Sequence, residues 1–196
     1  MGKETTRATI IREGARLIHK KGFNATGLSD IITAAGVPKG SFYFYFKSKE
    51  EFGLAVIDHY AEAITAMIQA SVEDAGRPPL HRLSAFMDGF ASLFEKMGHT
   101  RGCPIGNLMQ EMSDLNEAFR NKVGKVYARM AEAITRCLAE AKDSGDITEE
   151  LDPAQTAQFI LDSWEGAIMH MKLVKDNAPL TLCKRMVFDH ILKRQS

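Results

Sequence analysis

The chain has 196 residues, 45% of them hydrophobic and 26% charged, with a formal net charge of zero. This supports a packed core and excludes a disordered protein. The longest run without a charge is ten residues, Ala63 to Val72, against the roughly 20 that a membrane-spanning helix needs.

The zero charge is unevenly spread. Residues 1–50 carry nine Lys and Arg against four Asp and Glu, a net +5, and residues 51–196 carry sixteen against twenty-one, a net −5. A basic head on an acidic body suggests that the head meets an anion, nucleic acid among them. No charged-then-apolar leader opens the sequence, so no signal peptide is expected. Met1-Gly2-Lys3-Glu4-Thr5-Thr6 fits the loose N-myristoylation pattern and reads as a chance match, because the segment runs straight into a helix. Cys103, Cys137 and Cys183 are too few and too scattered for a disulfide framework. They point to a reducing, cytoplasmic setting.

The apolar periodicity is helical throughout. It starts with Ile10, Ile11, Ala15 and Ile18, and no run of β-branched and aromatic residues alternates with period two. The expected fold is all-α, with about nine helices in chain order: 4–21, 28–35, 39–45, 48–75, 79–97, 104–113, 116–142, 153–175 and 179–193. Pro38, Pro78, Pro79, Pro104, Pro153 and Pro179 each stand just before an apolar run, where a first helical turn tolerates proline. Ser48-Lys49-Glu50-Glu51 and Asp152-Pro153-Ala154-Gln155 read as capping boxes. The break near Phe46–Lys49 divides a head, 1–47, from a body, 48–196, without a flexible linker.

The second and third helices are joined by Gly36-Val37-Pro38. Two short helices joined by a tight glycine-containing turn make a helix-turn-helix, whose second helix lies in the DNA major groove. That helix reads Lys39-Gly40-Ser41-Phe42-Tyr43-Phe44-Tyr45-Phe46. At 3.6 residues per turn its aromatics cannot all face one core. Phe42 and Phe46, four apart, point inward together, which leaves Tyr43, Phe44 and Tyr45 largely outside. Beside Lys39, Lys47 and Lys49 they form a patch suited to thymine methyls and phosphates.

These residues carry a resemblance. Residues 10–57 include Gly22-Phe23-Asn24-Ala25-Thr26, then Gly36 through Phe46, then Lys47-Ser48-Lys49-Glu50-Glu51-Phe52. They resemble the DNA-binding domain of the TetR family of bacterial repressors. Gly102-Cys103-Pro104-Ile105-Gly106-Asn107-Leu108 in the body resembles the subgroup that includes the N-ethylmaleimide reductase repressor and the LmrA/YxaF-like regulators. The resemblance implies a homodimeric, ligand-responsive repressor that binds a palindromic operator and is released by a small-molecule or electrophile inducer. It implies no cofactor. It places Thr26, Tyr43, Tyr45 and Lys49 on phosphates, and Lys39, Ser41, Phe44 and Ser29 toward base edges. Gly40 lets the backbone approach the duplex. Ser29 stands where some relatives carry Arg, and Phe44 where many carry His.

The body is expected to enclose an effector cavity. Candidate walls include Phe86, Phe90, Leu108, Met112, Tyr127, Trp164 and Ile168, since aromatics and methionine fill irregular space. The competing reading of each is plain core. Cys103 precedes Pro104 at a helix start, with Arg101 two residues away. Both neighbours favour the reactive thiolate. Cys137 reads as buried and inert, and Cys183 as near the dimer contact. The dimer face is expected on the last two helices, with Phe159, Ala167, Leu182, Met186 and Ile191. No Glu-x-x-His, His-Glu-x-x-His, Gly-x-Ser-x-Gly or Walker motif occurs. The chain therefore reads as a regulator and not an enzyme. A metal-sensing regulator, a helical-bundle enzyme and an effector-free DNA-binding scaffold are the alternatives.

Overall fold

The computed structural model describes residues 3–193, with side chains from Thr6 onward. Met1 and Gly2, and with them the start of the acylation pattern, lie outside the described residues. Among the described residues there are nine α-helices and no strand: α1 (Lys3–Lys21), α2 (Leu28–Ala35), α3 (Lys39–Tyr45), α4 (Lys49–Ser71), α5 (Pro79–Lys96), α6 (Pro104–Met112), α7 (Glu117–Asp143), α8 (Pro153–Val174) and α9 (Ala178–Met186). No helix among them is long and apolar enough to cross a membrane. By packing, the described residues form two compact units, those up to Ala63 with Pro104–Val126, and Ile64–Cys103 with those from Tyr127 onward. The first three helices thus share a unit with the start of α4, with α6 and with the start of α7.

In the first unit, Ile10, Ile11, Ala15 and Ile18 of α1 are buried, as are Phe52, Val56, Ile57 and Tyr60 of α4. Each set recurs at helical spacing and forms one apolar stripe. The Tyr60 hydroxyl donates to the Ala15 carbonyl at 2.6 Å and ties α4 to α1. The Phe23 and Phe119 rings lie 4.8 Å apart. A Cβ on Gly53 would collide with both of them, so only glycine lets α4 come this close. The Ser48 hydroxyl accepts from the Glu51 N–H at 3.0 Å, and the Glu51 carboxylate accepts from the Lys47 N–H at 2.8 Å. Asn116 caps α7 by accepting from the Phe119 N–H at 3.0 Å.

In the second unit, Leu83, Phe86, Phe90 and Phe94 of α5 are buried, with Met130, Ile134 and Leu138 of α7 and Ile160, Trp164 and Ile168 of α8. Asp152 caps α8 by accepting from the Gln155 N–H at 2.8 Å, with Pro153 in the first turn. Two boundaries differ from the sequence reading by more than one residue. α4 ends at Ser71, not near 75. There the buried Arg82 takes the Val72 carbonyl at 3.1 Å and pairs with Glu140, satisfying a carbonyl at the helix end. The last α-helix stops at Met186, and Val187–Ile191 forms a π-helical turn. Its wider ladder, Leu192 N–H to Val187 carbonyl at 2.8 Å, links two residues that are both buried.

Candidate DNA-reading surface and effector cavity

α2 ends in a left-handed glycine, Gly36, with φ 64° and ψ 33°. Its N–H and that of Val37 return to Thr33 and Ile32 at 3.1 and 3.3 Å, which closes the helix. Pro38 then opens α3 in extended conformation. The turn is therefore fixed by backbone chemistry on both sides.

α3 packs by two rings. Phe42 and Phe46 are 0% and 1% exposed, and each lies within 5.5 Å of Phe52 by ring centroid. With those two turned inward, Tyr43 is 48% exposed and Phe44 64%. Tyr45 is half-buried and meets Phe44 edge-on at 4.9 Å. Lys39 lies 6.0 Å from the Tyr43 ring. Ser29 and Gly40 are exposed and Ser41 is half-buried. A Cβ on Gly40 would meet nothing within 4 Å. Aromatic faces, a lysine ammonium and open backbone thus share the outer surface of one short helix.

One expected contact is placed differently. Thr26 is fully buried, and its hydroxyl donates to the Gly22 carbonyl at 2.6 Å. It closes the turn after α1 and offers no free hydroxyl to a phosphate. Lys49 is half-buried, with its ammonium 4.5 Å from the Phe23 ring and 3.4 Å from the Asn24 carbonyl. Burial lowers its pKa, opposed by the negative charge of Glu111. Arg7, which sequence reading did not single out, lies 5.3 Å from the Phe46 ring on the same unit. It adds a cation to the head.

The second unit encloses a cavity of about 10 Å³, room for about one water molecule. Five expected residues line it: Phe86, Phe90, Cys103, Trp164 and Ile168. Three do not. Leu108 and Met112 are buried in the first unit, on α6. Tyr127 is half-buried, and its hydroxyl donates to Asp162 at 2.8 Å. Apolar periodicity marks Leu108 and Met112 as buried without saying in which core.

Sequence reading missed Glu165. It is buried beside Trp164 and lines the cavity. Desolvation raises its pKa, opposed by a hydrogen bond from Cys103 and the charge of Lys172. The signal was present in the sequence, since Glu165 falls on the same stripe as Leu161 and Ile168, three and four residues apart. Cys103 is 1% exposed, so the thiol expected at a helix entrance faces the interior, next to an acid. The Trp164 indole N–H is buried with no hydrogen-bond partner. Cys137 is buried and donates to the Pro79 carbonyl at 3.1 Å, and burial raises its pKa. Among the described residues no three His, Cys, Asp or Glu side chains stand together as a metal site.

On the outer side of α8 and α9, Phe159, Leu182 and Met186 are exposed, while Ala167, Cys183 and Ile191 are half-buried. They line one apolar groove.

A helix-turn-helix with an aromatic, basic outer face, in a chain whose described residues form helices and no strand, defines a DNA-binding regulator. Comparison with known proteins agrees. The family model described as "Bacterial regulatory proteins, tetR family" matches residues 10–56, and "Tetracyclin repressor-like, C-terminal domain" matches 79–187. The chain is 32% identical to the HTH-type transcriptional repressor DhaR of Mycobacterium sp. (strain GP1), over 98% of this chain and 95% of that one. It is 32% identical to the HTH-type transcriptional repressor NemR of Escherichia coli (strain K12), over 92% of each. The crystal structure of regulatory protein TetR from Rhodobacter sphaeroides superposes with a TM-score of 0.89 at 34% identity, covering 93% of this chain and 97% of that one. The chain belongs to the TetR family of bacterial transcriptional regulators.

The exposure of Phe44 has a direct consequence. Phe44→Ala is expected to leave thermal stability nearly unchanged, within about 0.5 kcal/mol as for most surface changes, while weakening DNA binding. Thermal melting and a DNA titration check it. A loss of several kcal/mol would place Phe44 in the core.

Proposed function

We propose that this regulator is a repressor that binds a palindromic operator as a homodimer and is released by a small molecule or electrophile acting in its body. The observation that carries this reading is the outer face of α3. Lys39, Tyr43 and Phe44 project from a helix whose other face is locked by Phe42 and Phe46. A rigidly held face of this kind serves base readout in the major groove. Relatives named as repressors support the sign of regulation. Tyr43, Tyr45 and Lys49 would meet phosphates, and Lys39, Ser41, Phe44 and Ser29 base edges. Gly40 lets the backbone approach. Thr26 holds the turn that presents them. The exposed Phe159, Leu182 and Met186, flanked by Ala167 and Ile191, would meet a second copy across a two-fold axis, the commonest symmetry of homo-oligomers. The cytoplasm, where DNA and reduced thiols coexist, is the setting this requires.

The cavity of the body is the proposed effector site, with Phe86, Phe90, Trp164 and Ile168 as walls and Cys103 as its reactive group. Within so small a space, either a ligand pushes the flexible methionine walls aside or a small electrophile adds to the thiol.

Two experiments test this. Lys39→Ala should weaken the preferred palindromic duplex by about 1–3 kcal/mol and relax the preference at one base position per half-site. A uniform loss over all duplexes would remove Lys39 from base readout. Treatment with methyl vinyl ketone should release DNA from the unmodified protein, and Cys103→Ser should abolish the response while Cys137→Ser and Cys183→Ser keep it. Release that persists in Cys103→Ser would make Cys103 a wall residue and leave a reversible ligand as the inducer.

A further inference from the structure

The segment that joins α1 to α2 is held by a residue far away in sequence. Gly22, Phe23 and Asn24 follow the last residue of α1, and their backbone must turn to deliver α2. Gly22 does so at φ 89°, a conformation that L side chains rarely adopt. The turn leaves the N–H groups of Phe23 and Asn24 facing outward. Both are taken by one side chain, Glu111 of α6. Its Oε2 accepts from the Phe23 N–H at 2.8 Å and its Oε1 from the Asn24 N–H at 2.7 Å. A Cβ at position 22 would lie 3.0 and 3.1 Å from the same two oxygens, so another residue there would strain the turn and push the carboxylate by a few tenths of an ångström.

The other side of this dipeptide is held too. The Lys49 ammonium covers the Phe23 ring at 4.5 Å and reaches the Asn24 carbonyl at 3.4 Å. The Asn24 side-chain amide points at the Met112 sulfur, 3.5 Å away, one residue beyond Glu111. The buried Thr26 hydroxyl ties the turn back to the Gly22 carbonyl. Every residue named here lies in the first compact unit. An exposed ion pair from the start of α7, Lys122–Asp58 at 2.6 Å, also reaches α4, but a flexible surface pair of that kind holds little. A carboxylate that receives two fixed backbone donors, one on each oxygen, is a stiffer link.

We propose that Glu111 is a positioning residue for operator binding: from α6 it fixes the α1–α2 turn, and through that turn the places of α2 and α3 on the duplex. The matched DNA-binding segment covers residues 10–56, so this assigns a role in operator recognition to a side chain well outside it. α6 begins at the residue after Cys103. Glu111 is thus the point at which a displacement of α6 reaches the reading helices, a consequence that rests on the effector reading above, while the positioning role itself does not.

The two possible roles of this carboxylate differ in sign. As a bare negative charge on the DNA-binding unit it would repel phosphates, and neutralising it would tighten every duplex. As a positioning group it is needed for register, and neutralising it loosens the operator specifically. Glu111→Gln is the informative variant, because it keeps the shape and one acceptor oxygen but cannot accept both N–H groups as a carboxylate does. Glu111→Ala removes both acceptors. Affinities for the selected palindromic operator and for a scrambled duplex of equal length are measured at one salt concentration, together with amide hydrogen exchange at Phe23 and Asn24. The expected result for Glu111→Gln is an operator affinity lower by about tenfold, as for loss of a charge-assisted link. The scrambled duplex should be bound as before or more tightly, and the two amides should exchange faster while the rest of the head keeps its protection. An operator affinity that is unchanged or improved overturns the proposal. So does an equal loss on both duplexes with exchange raised across the whole head, which is a stability effect. If Glu111→Ala fails to fold, Glu111→Gln decides alone. Unmodified protein that bound both duplexes alike would fail earlier, by removing the operator reading itself.

Discussion

The reading head depends on the joint burial of Phe42 and Phe46 against Phe52. Phe42 lies on a helix of seven residues and Phe46 caps its end four residues later, its N–H on the Phe42 carbonyl at 2.9 Å, so with both rings turned inward the residues between them turn outward. Fully burying a phenylalanine side chain stabilises the fold by roughly 1.5–3 kcal/mol. That is ample to fix so short a helix, which would not form alone in water. The exposure of Tyr43 and Phe44 follows from this packing. An apolar side chain on the surface costs the folded protein little, and here it supplies a DNA-reading face at a defined angle.

The same logic extends outward from the cluster. Phe52 sits on α4, one residue before Gly53, where the absence of a side chain admits the Phe23–Phe119 pair. Phe23 in turn carries the Lys49 ammonium on its face and the Glu111 carboxylate on its N–H. From α3 to α6 the head is thus one continuous packed and hydrogen-bonded network. Its polar members Glu111, Lys49 and Thr26 each hold a backbone group, and this confers rigidity without long exposed ion pairs.

Much of this was legible in the sequence, for identifiable reasons. Prolines 38, 79, 104, 153 and 179 fall within a residue of a helix start, because their fixed φ and missing N–H suit the first turn. The direction of the α3 aromatics followed from helical period alone. What escaped was long-range or two-valued. Glu111 reaches a turn 87 and 88 residues earlier, and nothing local marks it. Thr26 looks like a surface hydroxyl in sequence, yet its neighbour is the Gly22 carbonyl. Leu108 and Met112 are apolar at the right spacing, but α6 buries them in the first unit and not around the cavity. Glu165 sits on the stripe of Leu161 and Ile168, where a reading of apolar residues alone passes over an acid.

The central claim is that α3 presents position 44 to DNA because positions 42 and 46 are locked inside. Photocrosslinking from a p-benzoylphenylalanine placed at position 44 tests it most directly, with the selected palindromic duplex as target and position 42 as the control. Crosslinks are expected from position 44 to major-groove bases at two symmetry-related places, one per half-site, and none from position 42. Crosslinks from position 42, or none from position 44 on a duplex that the protein demonstrably binds, would contradict it.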